Sequence, residues 1–203
     1  MTRPRLWILA GPNGSGKSTY FEQRLKVHFD TFINADEMAK ESGTLITVES
    51  SWQAKLAADE QRRKLLDAGA SFCTETVLSH ESWIEFMRKA VGLGYEVILI
   101  FICLDDPALN AARVQHRVSQ GGHDVPMDRI GPRYNRSIAY CGQAIPLVDE
   151  VWLIDNTLAE APFTPIARFL QGRLVELTLG HVPRWVQAGF AIHLPSSNNR
   201  LLN

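Results

Sequence analysis

The sequence predicts an α/β fold in which helices flank a five-stranded, mostly parallel sheet. Three observations support this fold class. A short apolar run leads into a glycine-rich stretch at residues 11–19, apolar runs alternate with amphipathic stretches along the chain, and the run at 95–106 is apolar almost throughout. Alternation of strands and helices indicates βαβ units, and a strand with little polar interruption is typical of the middle of a parallel sheet.

Length and composition predict a single domain over residues 1–203. The chain has 203 residues, of which 45% are hydrophobic, and this is enough for one sizeable core. Within the domain we predict a core over 5–156, an arginine-rich lid over 113–136 and a C-terminal extension over 157–203 without an assigned role. The formal net charge of -1 gives no global attraction to nucleic acid or to an anionic membrane, so any basic site must be local.

In chain order, the apolar runs predict five strands, over 6–10, 31–36, 71–79, 95–106 and 150–156. The first predicted helix, 17–28, begins inside the glycine-rich turn, and the second, 49–67, repeats its apolar residues at helical spacing before Gly69. A third helix over 80–94 closes on a glycine, and a fourth over 107–120 begins with Pro107, a residue favoured in the first turn.

Beyond residue 156 the pattern weakens. Residues 163–180 predict a helix interrupted at Gly172, and residues 194–203 are expected to fray, as chain ends commonly do. Neither an internal repeat nor a linker-like composition indicates a second domain, which is why the extension is included in the predicted single domain.

The cysteines and the first apolar run predict a cytoplasmic protein. Cys73, Cys103 and Cys141 are odd in number and widely spaced, so they indicate neither a disulfide framework nor a metal site, and we expect ordinary buried thiols. The apolar run before Gly11 is about six residues long, whereas a membrane-spanning helix needs about 20 and a signal peptide also needs a longer run. We therefore expect no membrane partner.

The glycine-rich stretch carries a phosphate-binding signature. Gly11, Gly16, Lys17 and Ser18 fit the pattern G-x-x-x-x-G-K-[ST], and the stretch lies where the pattern requires, after an apolar strand and at the start of a helix. The fold predicted is therefore that of the P-loop NTPases. The predicted nucleotide-binding residues are Gly11, Pro12, Asn13, Gly14, Ser15, Gly16, Lys17, Ser18 and Thr19.

Each part of this stretch has a chemical task. The glycines allow a tight turn that presents backbone N–H groups to phosphate oxygens, and the following helix adds the positive end of its dipole. Lys17 can reach the β- and γ-phosphates, and the Ser18 hydroxyl can coordinate Mg²⁺. We therefore predict ATP and Mg²⁺ as cofactors, with Ser18 as the metal ligand.

Three acidic positions follow predicted strands and compete for a chemical role. Asp36, Glu75 and the pair Asp105 and Asp106 all fall where ligands collect in an open parallel sheet, at the carboxyl ends of strands. The aspartate pair resembles a metal-binding Walker B element, but it precedes Pro107, and capping of the next helix is the favoured interpretation.

Asp36 is the preferred catalytic residue. It is hypothesised to act as a general base that accepts the proton of an acceptor hydroxyl facing the γ-phosphate, with helix N-capping as the alternative. Glu75 lies inside an apolar strand, where an unpaired carboxylate is costly, so it needs a partner. A substrate hydroxyl, Mg²⁺-bound water or an arginine would serve, and a purely structural salt bridge is an equal alternative.

Five arginines fall within residues 113–136: Arg113, Arg117, Arg129, Arg133 and Arg136. They form two groups at helical spacing on either side of GGHDVP (121–126), which predicts a lid hinged at this turn and closing over the transferred phosphate. A solvated face with ion pairs to acidic neighbours is the alternative for any one of them. Contacts to RNA are disfavoured because only Tyr134 and Tyr140 interleave with the arginines.

Taken together, GPNGSGKST (11–19), INAD (33–36), TET (74–76) and the arginine segment with GGHDVP resemble the zeta toxin family of P-loop kinases over about residues 5–156. The resemblance implies ATP- and Mg²⁺-dependent phosphorylation of the 3′-hydroxyl of UDP-N-acetylglucosamine. It also implies Asp36 as catalytic base, Glu75 and Thr76 as acceptor contacts, and Arg117 and Arg133 as lid arginines at the γ-phosphate. A separate antitoxin protein is an implied partner.

Two other functions are compatible with the sequence. A polynucleotide or RNA-end kinase would use the arginines to follow a nucleic-acid backbone, and its binding would be sensitive to salt. A non-catalytic nucleotide-binding switch would bind nucleotide without transfer to a hydroxyl group. The arginine-rich lid and Asp36 argue against the switch, because a bare switch has little use for either.

Overall fold

The computed structural model of the protein describes residues 3–41, 47–120, 125–178, 180 and 182–194. The strands are β1 (Arg5–Ala10), β2 (Phe32–Ile33), β3 (Phe72–Thr76), β4 (Glu96–Cys103), β5 (Glu150–Asp155), β6 (Thr164–Leu170) and β7 (Arg173–Leu177). The helices are α1 (Lys17–Tyr20), α2 (Ala35–Glu41), α3 (Val48–Asp67), α4 (Ser82–Gly92), α5 (Pro107–Ser119), α6 (Met127–Ala144) and α7 (Arg184–Phe190). Helix α1 continues as a π-helical turn over Phe21–Leu25 and a 3₁₀ turn over Lys26–His28.

The strands form one sheet in the order β2-β3-β1-β4-β5-β6-β7. The first five strands in this order are parallel, and β6 and β7 are antiparallel to their neighbours. The predicted α/β class and mostly parallel sheet are confirmed. Because β1 lies between β3 and β4, the loop that leaves β1 is placed at the middle of the sheet's carboxyl edge, between the residues that follow β3 and those that follow β4.

The predicted strand count of five is wrong, because the sheet has seven strands. Residues 163–180, predicted as an interrupted helix, instead contain β6 and β7 joined at Gln171 and Gly172. Both turn residues have positive φ, 48° and 76°, as a two-residue turn between antiparallel strands requires. Gly172 therefore reverses the chain between two strands, and the apolar residues around it belong to strands and not to helical turns.

The segment after β2 also differs from expectation. The strand predicted over 31–36 is only two residues long, and α2 begins at Ala35 and extends to Glu41. Its start limits β2 to two residues, because the Asn34 side-chain oxygen already accepts a hydrogen bond from the Asp36 backbone N–H at 2.9 Å. Within the predicted frayed end at 194–203, only residue 194 lies inside the described residues.

Helices pack on both faces of the sheet. The larger apolar cluster joins one face to buried residues of α3, α4, α6 and α7, including Ala58, Met87, Ile138 and Phe190. The opposite face packs mainly on Phe21 and Leu25, which follow α1. All three cysteines are buried and unbridged, as predicted. None of the helices that the structure describes has the length and apolar character needed to cross a bilayer.

Residues beyond β5 are joined to the parallel part of the sheet. The Trp185 ring packs against Phe101 of β4, with the ring centroids 5.7 Å apart, and its Nε1–H donates to Asp155 Oδ1 at 2.9 Å. Asp105, which follows β4, accepts a hydrogen bond from the backbone N–H of Arg184 at the start of α7. The C-terminal segment therefore fixes the carboxyl ends of β4 and β5, where the functional residues converge.

Candidate functional site

The loop between β1 and α1 has the positive-φ backbone that a tight phosphate-binding turn requires. Gly14 and Gly16 have φ values of 77° and 101°, in a region that other residues adopt only with strain. A Cβ atom at Gly14 would lie 2.5 Å from the Asn110 carbonyl oxygen, and one at Gly16 would lie 2.5 Å from Asn156 Nδ2. These positions thus need glycine both for their backbone conformation and for close approach of neighbouring residues.

Lys17 and Ser18 begin α1 and both face Glu75 at the end of β3. The ammonium group of Lys17, which is 6% exposed, donates to the Pro12 carbonyl at 3.1 Å and lies 3.6 Å from Glu75 Oε1. The Ser18 hydroxyl donates to Glu75 Oε2 at 3.1 Å. This geometry joins the two reactive side chains of the loop to one carboxylate.

Glu75 is the buried acid of the site. Burial raises its pKa, whereas the positive charge of Lys17 and the hydrogen bond from Ser18 act in the opposite direction. Asn34 Nδ2 also donates to Glu75 Oε2, at 3.1 Å. The structure pairs this carboxylate with Lys17, Ser18 and Asn34, none of which was among the specific partners predicted for it, and the ion pair with Lys17 is a contact of the kind that the salt-bridge alternative expected.

The donor set fits Mg²⁺. The Ser18 hydroxyl and the Glu75 carboxylate offer hard oxygen atoms next to the predicted phosphate position, and Mg²⁺ is commonly bound by one or two such groups together with phosphates and water. The described residues contain no group of three or more His, Cys, Asp or Glu arranged to hold a metal. A site shared with nucleotide phosphates therefore suits these residues better than a closed protein cage.

Asp36 lies in the first turn of α2, where its exposed side chain lines the same cavity as Lys17 and Glu75. The oxygen that accepts from the first turn of α2 is Asn34 Oδ1, two residues before it. The capping alternative for Asp36 is therefore wrong, because the neighbouring asparagine performs that role. The Asp36 carboxylate is left directed at the cavity.

These side chains surround a cavity of about 520 Å³ above the carboxyl edge of the sheet. Its walls come from the phosphate-binding loop and α1, from α2 and β3, from α5, and from the segment that follows β5. The residues are Asn13, Gly14, Gly16, Lys17, Ser18, Thr19, Gln23, Asp36, Glu75, Val77, Arg113, Arg117, Asn156, Ala159, Pro162 and Phe163. The cavity has the size of a site for a small organic ligand.

Thr76, Gly11, Pro12 and Ser15 complete the account of the predicted positions. The Thr76 hydroxyl accepts a hydrogen bond from the Leu78 backbone N–H at 2.9 Å, and its carbonyl accepts from the Gly11 N–H at 3.2 Å. Pro12 contributes the carbonyl that binds Lys17, and Ser15 is fully buried beneath the loop. These four residues support the loop from below and do not line the cavity.

The arginines belong to two helices, α5 and α6. Arg113 and Arg117 of α5 line the cavity, and Arg113 Nη2 donates to the Asn156 carbonyl at 3.0 Å. Arg133 of α6 reaches the loop, with its Nη1 3.5 Å from Asn13 Oδ1. Residues 121–124, which include most of the predicted hinge, lie outside the described residues.

Arg133 lies in a strongly cationic environment. It is spaced four residues from Arg129 and three from Arg136, so the three share one face of α6. Burial lowers the pKa of Arg133, the positive charges of Arg129 and Arg136 lower it further, and the charge of Asp36 raises it. The Arg136 Nε–H donates to the Ser79 carbonyl at 3.1 Å. This face extends from the phosphate-binding loop to the segment after β3.

The aspartate pair after β4 serves as helix caps. Asp106 Oδ1 accepts from the Ala108 N–H at 2.7 Å and caps α5, as the favoured interpretation expected. Asp105 accepts from the N–H groups of Arg184 and Trp185 at the start of α7. The carboxylate nearest to Ser18 therefore comes from β3, adjacent to β1, and not from β4.

Sequence reasoning missed three asparagines at the site: Asn34, Asn110 and Asn156. Asn34 contacts Glu75, and the other two donate to carbonyl groups of the phosphate-binding loop. Their positions in the sequence could have indicated a role at the site. Asn34 and Asn156 directly follow strands of the parallel sheet, and Asn110 lies in the first turn of the helix after β4.

A family model described as an AAA domain matches residues 6–132, which is more than half of the chain. An uncharacterized protein of Haemophilus influenzae is 27% identical over 144 residues, which is 66% of this chain and all of that relative. The family match and the solved structures of similar fold together show a P-loop kinase-like fold.

Two solved structures illustrate this likeness. The AvrRxo1-ORF1:-ORF2 complex with ATP has a chain that superposes with a TM-score of 0.66 at 17% identity, covering 89% of this chain and 66% of that one. A chain from the PezAT toxin-antitoxin system of Streptococcus pneumoniae gives a TM-score of 0.57 at 17% identity, covering 76% of this chain and 68% of that one. The present chain spans 60–66% of the length of the AvrRxo1 chains that it matches.

Proposed function

We propose that this chain, which belongs to the AAA domain family, is an ATP-dependent kinase that transfers the γ-phosphate to a hydroxyl group of a small molecule. The observation that carries the proposal is convergence on one cavity. The glycine-rich phosphate-binding loop, a carboxylate free of helix capping and the cationic side chains of Lys17, Arg113 and Arg117 all line the same cavity of about 520 Å³. Phosphoryl transfer needs these elements, because its catalysis consists mainly of positioning and charge stabilisation.

The nucleotide would bind through the loop and α1. Backbone N–H groups of residues 13–18 would contact the phosphate oxygens, and Lys17 would move from the Pro12 carbonyl to the β- and γ-phosphates. Ser18 and Glu75 would hold Mg²⁺, directly or through water, and the ion would neutralise charge on the phosphates. Phe163, Pro162 and Ala159 would form the wall next to the remainder of the nucleotide.

Asp36 would act as the general base. Its carboxylate would accept the proton of the acceptor hydroxyl while that oxygen forms a bond to the γ-phosphorus, and the bond from the γ-phosphorus to the bridging oxygen would break to release ADP. Arg117 and Arg133 would stabilise the charge on the transferring phosphoryl group. The contact between Arg133 and Asn13 supports this role, because Asn13 belongs to the phosphate-binding loop.

For the acceptor we propose a sugar nucleotide or related metabolite, with UDP-N-acetylglucosamine as the first compound to test. Its support is the resemblance of the loop, INAD, TET and arginine segments to the zeta toxins. Acceptor contacts by Glu75 and Thr76 remain a prediction. The bonds that these two residues make to Ser18 and Leu78 favour a supporting role for them in the free protein.

A separate antitoxin protein is part of this proposal. The structures of similar fold include chains solved within AvrRxo1 and PezAT systems, each of which has a second component in its name. Co-purification of this chain with the product of a neighbouring reading frame would support such a partner.

The proposed reaction is tested by incubating the purified protein with ATP, Mg²⁺ and a metabolite pool and searching by mass spectrometry for one species that gains a phosphate. Asp36→Asn should lower kcat by about 10² to 10⁴, the usual contribution of a general base, with little change in ATP affinity. Asp30→Asn, an identical change at an exposed residue, is the matched control. Transfer by Asp36→Asn at the wild-type rate would contradict the assignment.

Transfer to nucleic acid is a second candidate, favoured by the shared face of Arg129, Arg133 and Arg136. None of the ion pairs among the described residues gives these three side chains a carboxylate partner. Oligonucleotide binding that weakens steeply with salt, followed by end phosphorylation, would favour this reading over the small-molecule acceptor.

A further inference from the structure

The backbone carbonyl groups of the phosphate-binding loop need hydrogen-bond donors inside the protein. To present N–H groups to a ligand, the loop must turn the intervening carbonyl groups away from the cavity. These carbonyl groups then point into the protein, where water does not reach them. Asn13 and Ser15, whose carbonyls lie on either side of Gly14, are 9% and 0% exposed. Buried carbonyls need hydrogen-bond donors, since an unpaired one costs free energy and would favour a different loop conformation.

Asn110 supplies the first donor. It lies in the first turn of α5 and is fully buried, and its Nδ2 donates to the Asn13 carbonyl at 2.7 Å. Its side-chain oxygen has no hydrogen-bond partner among the described residues. The side-chain hydrogen bond that the described residues give this buried amide is therefore the one to the loop.

Asn156 supplies the second donor. It directly follows β5, is 6% exposed, and its Nδ2 donates to the Ser15 carbonyl at 2.8 Å. Its other polar atoms fix the side chain in place. The backbone N–H donates to the Cys103 carbonyl at 2.9 Å, the side-chain oxygen accepts from the Phe163 N–H at 3.3 Å, and the carbonyl accepts from Arg113.

The glycines of the loop complete the fit. The space that a side chain at Gly14 would need is filled by the Asn110 main chain, and the space at Gly16 is filled by the Asn156 amide. The lack of a side chain at Gly14 and Gly16 thus lets Asn110 and Asn156 come close to the loop. The same two asparagines bind the carbonyl groups of Asn13 and Ser15. The loop is held from two sides by elements far apart in the chain.

We propose that Asn110 and Asn156 are positioning residues that together form an asparagine clamp, which holds the loop in its phosphate-binding shape before the nucleotide arrives. The proposal rests on the proposed nucleotide site and extends it to two residues that bind backbone carbonyl groups of the loop. Asn156 lies beyond residue 132, where the family match ends. Half of the clamp is therefore supplied by the part of the chain outside the family match, and it also holds the cavity residues Phe163 and Arg113.

The clamp predicts that loss of either donor weakens binding of phosphate chains. Asn110→Leu and Asn156→Leu keep the branching of the side chain and the neutral charge but remove the amide. The probe is inorganic triphosphate with Mg²⁺, measured by titration calorimetry, because it contacts the loop and has neither base nor ribose. We expect each variant to bind about tenfold more weakly, which corresponds to about one tenth of the molecules keeping the competent loop conformation. The KM for ATP should rise with the acceptor KM unchanged.

The matched control is Gln143→Leu, which removes an amide from an exposed position of α6 and should leave triphosphate affinity unchanged. Circular dichroism and thermal unfolding verify that each variant is folded at the temperature of the titration. Wild-type affinity in both clamp variants would overturn the clamp and leave the proposed function standing. A wild-type protein that binds neither triphosphate nor ATP would overturn both.

If a leucine variant does not fold, the wild-type protein answers the same question. In the free protein, the side-chain amide protons of Asn110 and Asn156 should exchange with solvent much more slowly than those of Gln143, as followed by nuclear magnetic resonance. Exchange of all three amides at the same rate would overturn the clamp, because its bonds must exist before ligand binds.

Discussion

At the residue scale, Glu75 is the group whose ionisation opposes folding in the free protein. Its pKa is raised, mainly by burial, despite the adjacent positive charge of Lys17. A pKa above the unfolded value means that the folded chain binds more protons than the unfolded chain. The free energy of unfolding must therefore fall as the pH rises from the unfolded pKa through the folded pKa.

Glu75→Gln removes this titration. In the absence of ligand, we expect the free energy of unfolding of the wild type to fall relative to that of the variant as pH rises from about 4, the ordinary carboxyl range, toward neutrality. Urea unfolding at a series of pH values measures the difference. Glu22→Gln, at an exposed residue paired with Lys26, is the control. A wild-type to variant difference that does not change with pH would contradict the prediction.

Asp36 illustrates how neighbouring residues divide their tasks. Asp and Asn are both good helix caps, so the sequence INAD left capping and catalysis open for Asp36. In the structure Asn34 binds the first turn of α2 and also contacts Glu75. The choice between two adjacent caps depends on where the helix begins, within one or two residues, and local sequence does not determine this.

At the element scale, the start of α5 allows helix capping by Asp106 to be distinguished from metal binding. Asp106 caps this helix, and a Walker B role for it would instead require contact with the metal site. Asp106→Ala should lower the free energy of unfolding by about 1 kcal/mol with no change in Mg²⁺ affinity, whereas Asp106→Asn, an equally good cap, should be close to neutral. Thermal unfolding and magnesium titration in the presence of ATP test both. Loss of magnesium affinity in Asp106→Asn would restore the Walker B interpretation.

The elements also differ in how far the sequence predicts them. Strand β1, the phosphate-binding loop and α1 were predictable because the motif G-x-x-x-x-G-K-[ST] is local and indicates one structure, a strand followed by a tight turn and a helix. The hairpin of β6 and β7 was not, because its apolar residues suit helical spacing almost as well as alternation, and only pairing with β5 decides between the two. Long-range pairing overrides weak local preference in this segment.

The residues of the site also differ in how far the sequence predicts them. Lys17, Ser18, Asp36 and Glu75 meet at one cavity, as expected from the rule that ligands collect at carboxyl ends of parallel strands. Asn110 and Asn156 were beyond the reach of sequence reasoning, because their role depends on loop carbonyls 97 and 141 residues away in the chain. Contacts of that kind become visible only once the strands are in order.

At the scale of the whole molecule, the segment after β5 is part of the folded unit. Strands β6 and β7 extend the sheet beyond β5, and Trp185 and Phe190 are buried against Phe101. Without them, β5 would become an open edge, and the apolar face of β4 would meet water. Removal of this segment should therefore cost more than most single substitutions.

We expect a chain that ends at residue 162 to lose cooperative thermal unfolding, as followed by calorimetry and near-ultraviolet circular dichroism. A chain that ends at residue 194 keeps every described element and is the matched control. A sharp unfolding transition in the shorter chain at the temperature of the full chain would contradict the prediction, and would mean that the five parallel strands suffice for folding.

The three cysteines give the molecule a built-in reporter. Each sulfhydryl group is enclosed, in β3, in β4 or in α6, and enclosure raises the pKa of all three thiols. We therefore expect few thiolates and little reaction with alkylating reagents in the native state. Pulse alkylation with peptide mapping would therefore time separately the opening of the two strands that flank β1 and of a helix. A cysteine introduced at the surface would, for the same reason, take up a fluorophore selectively and leave the native three untouched.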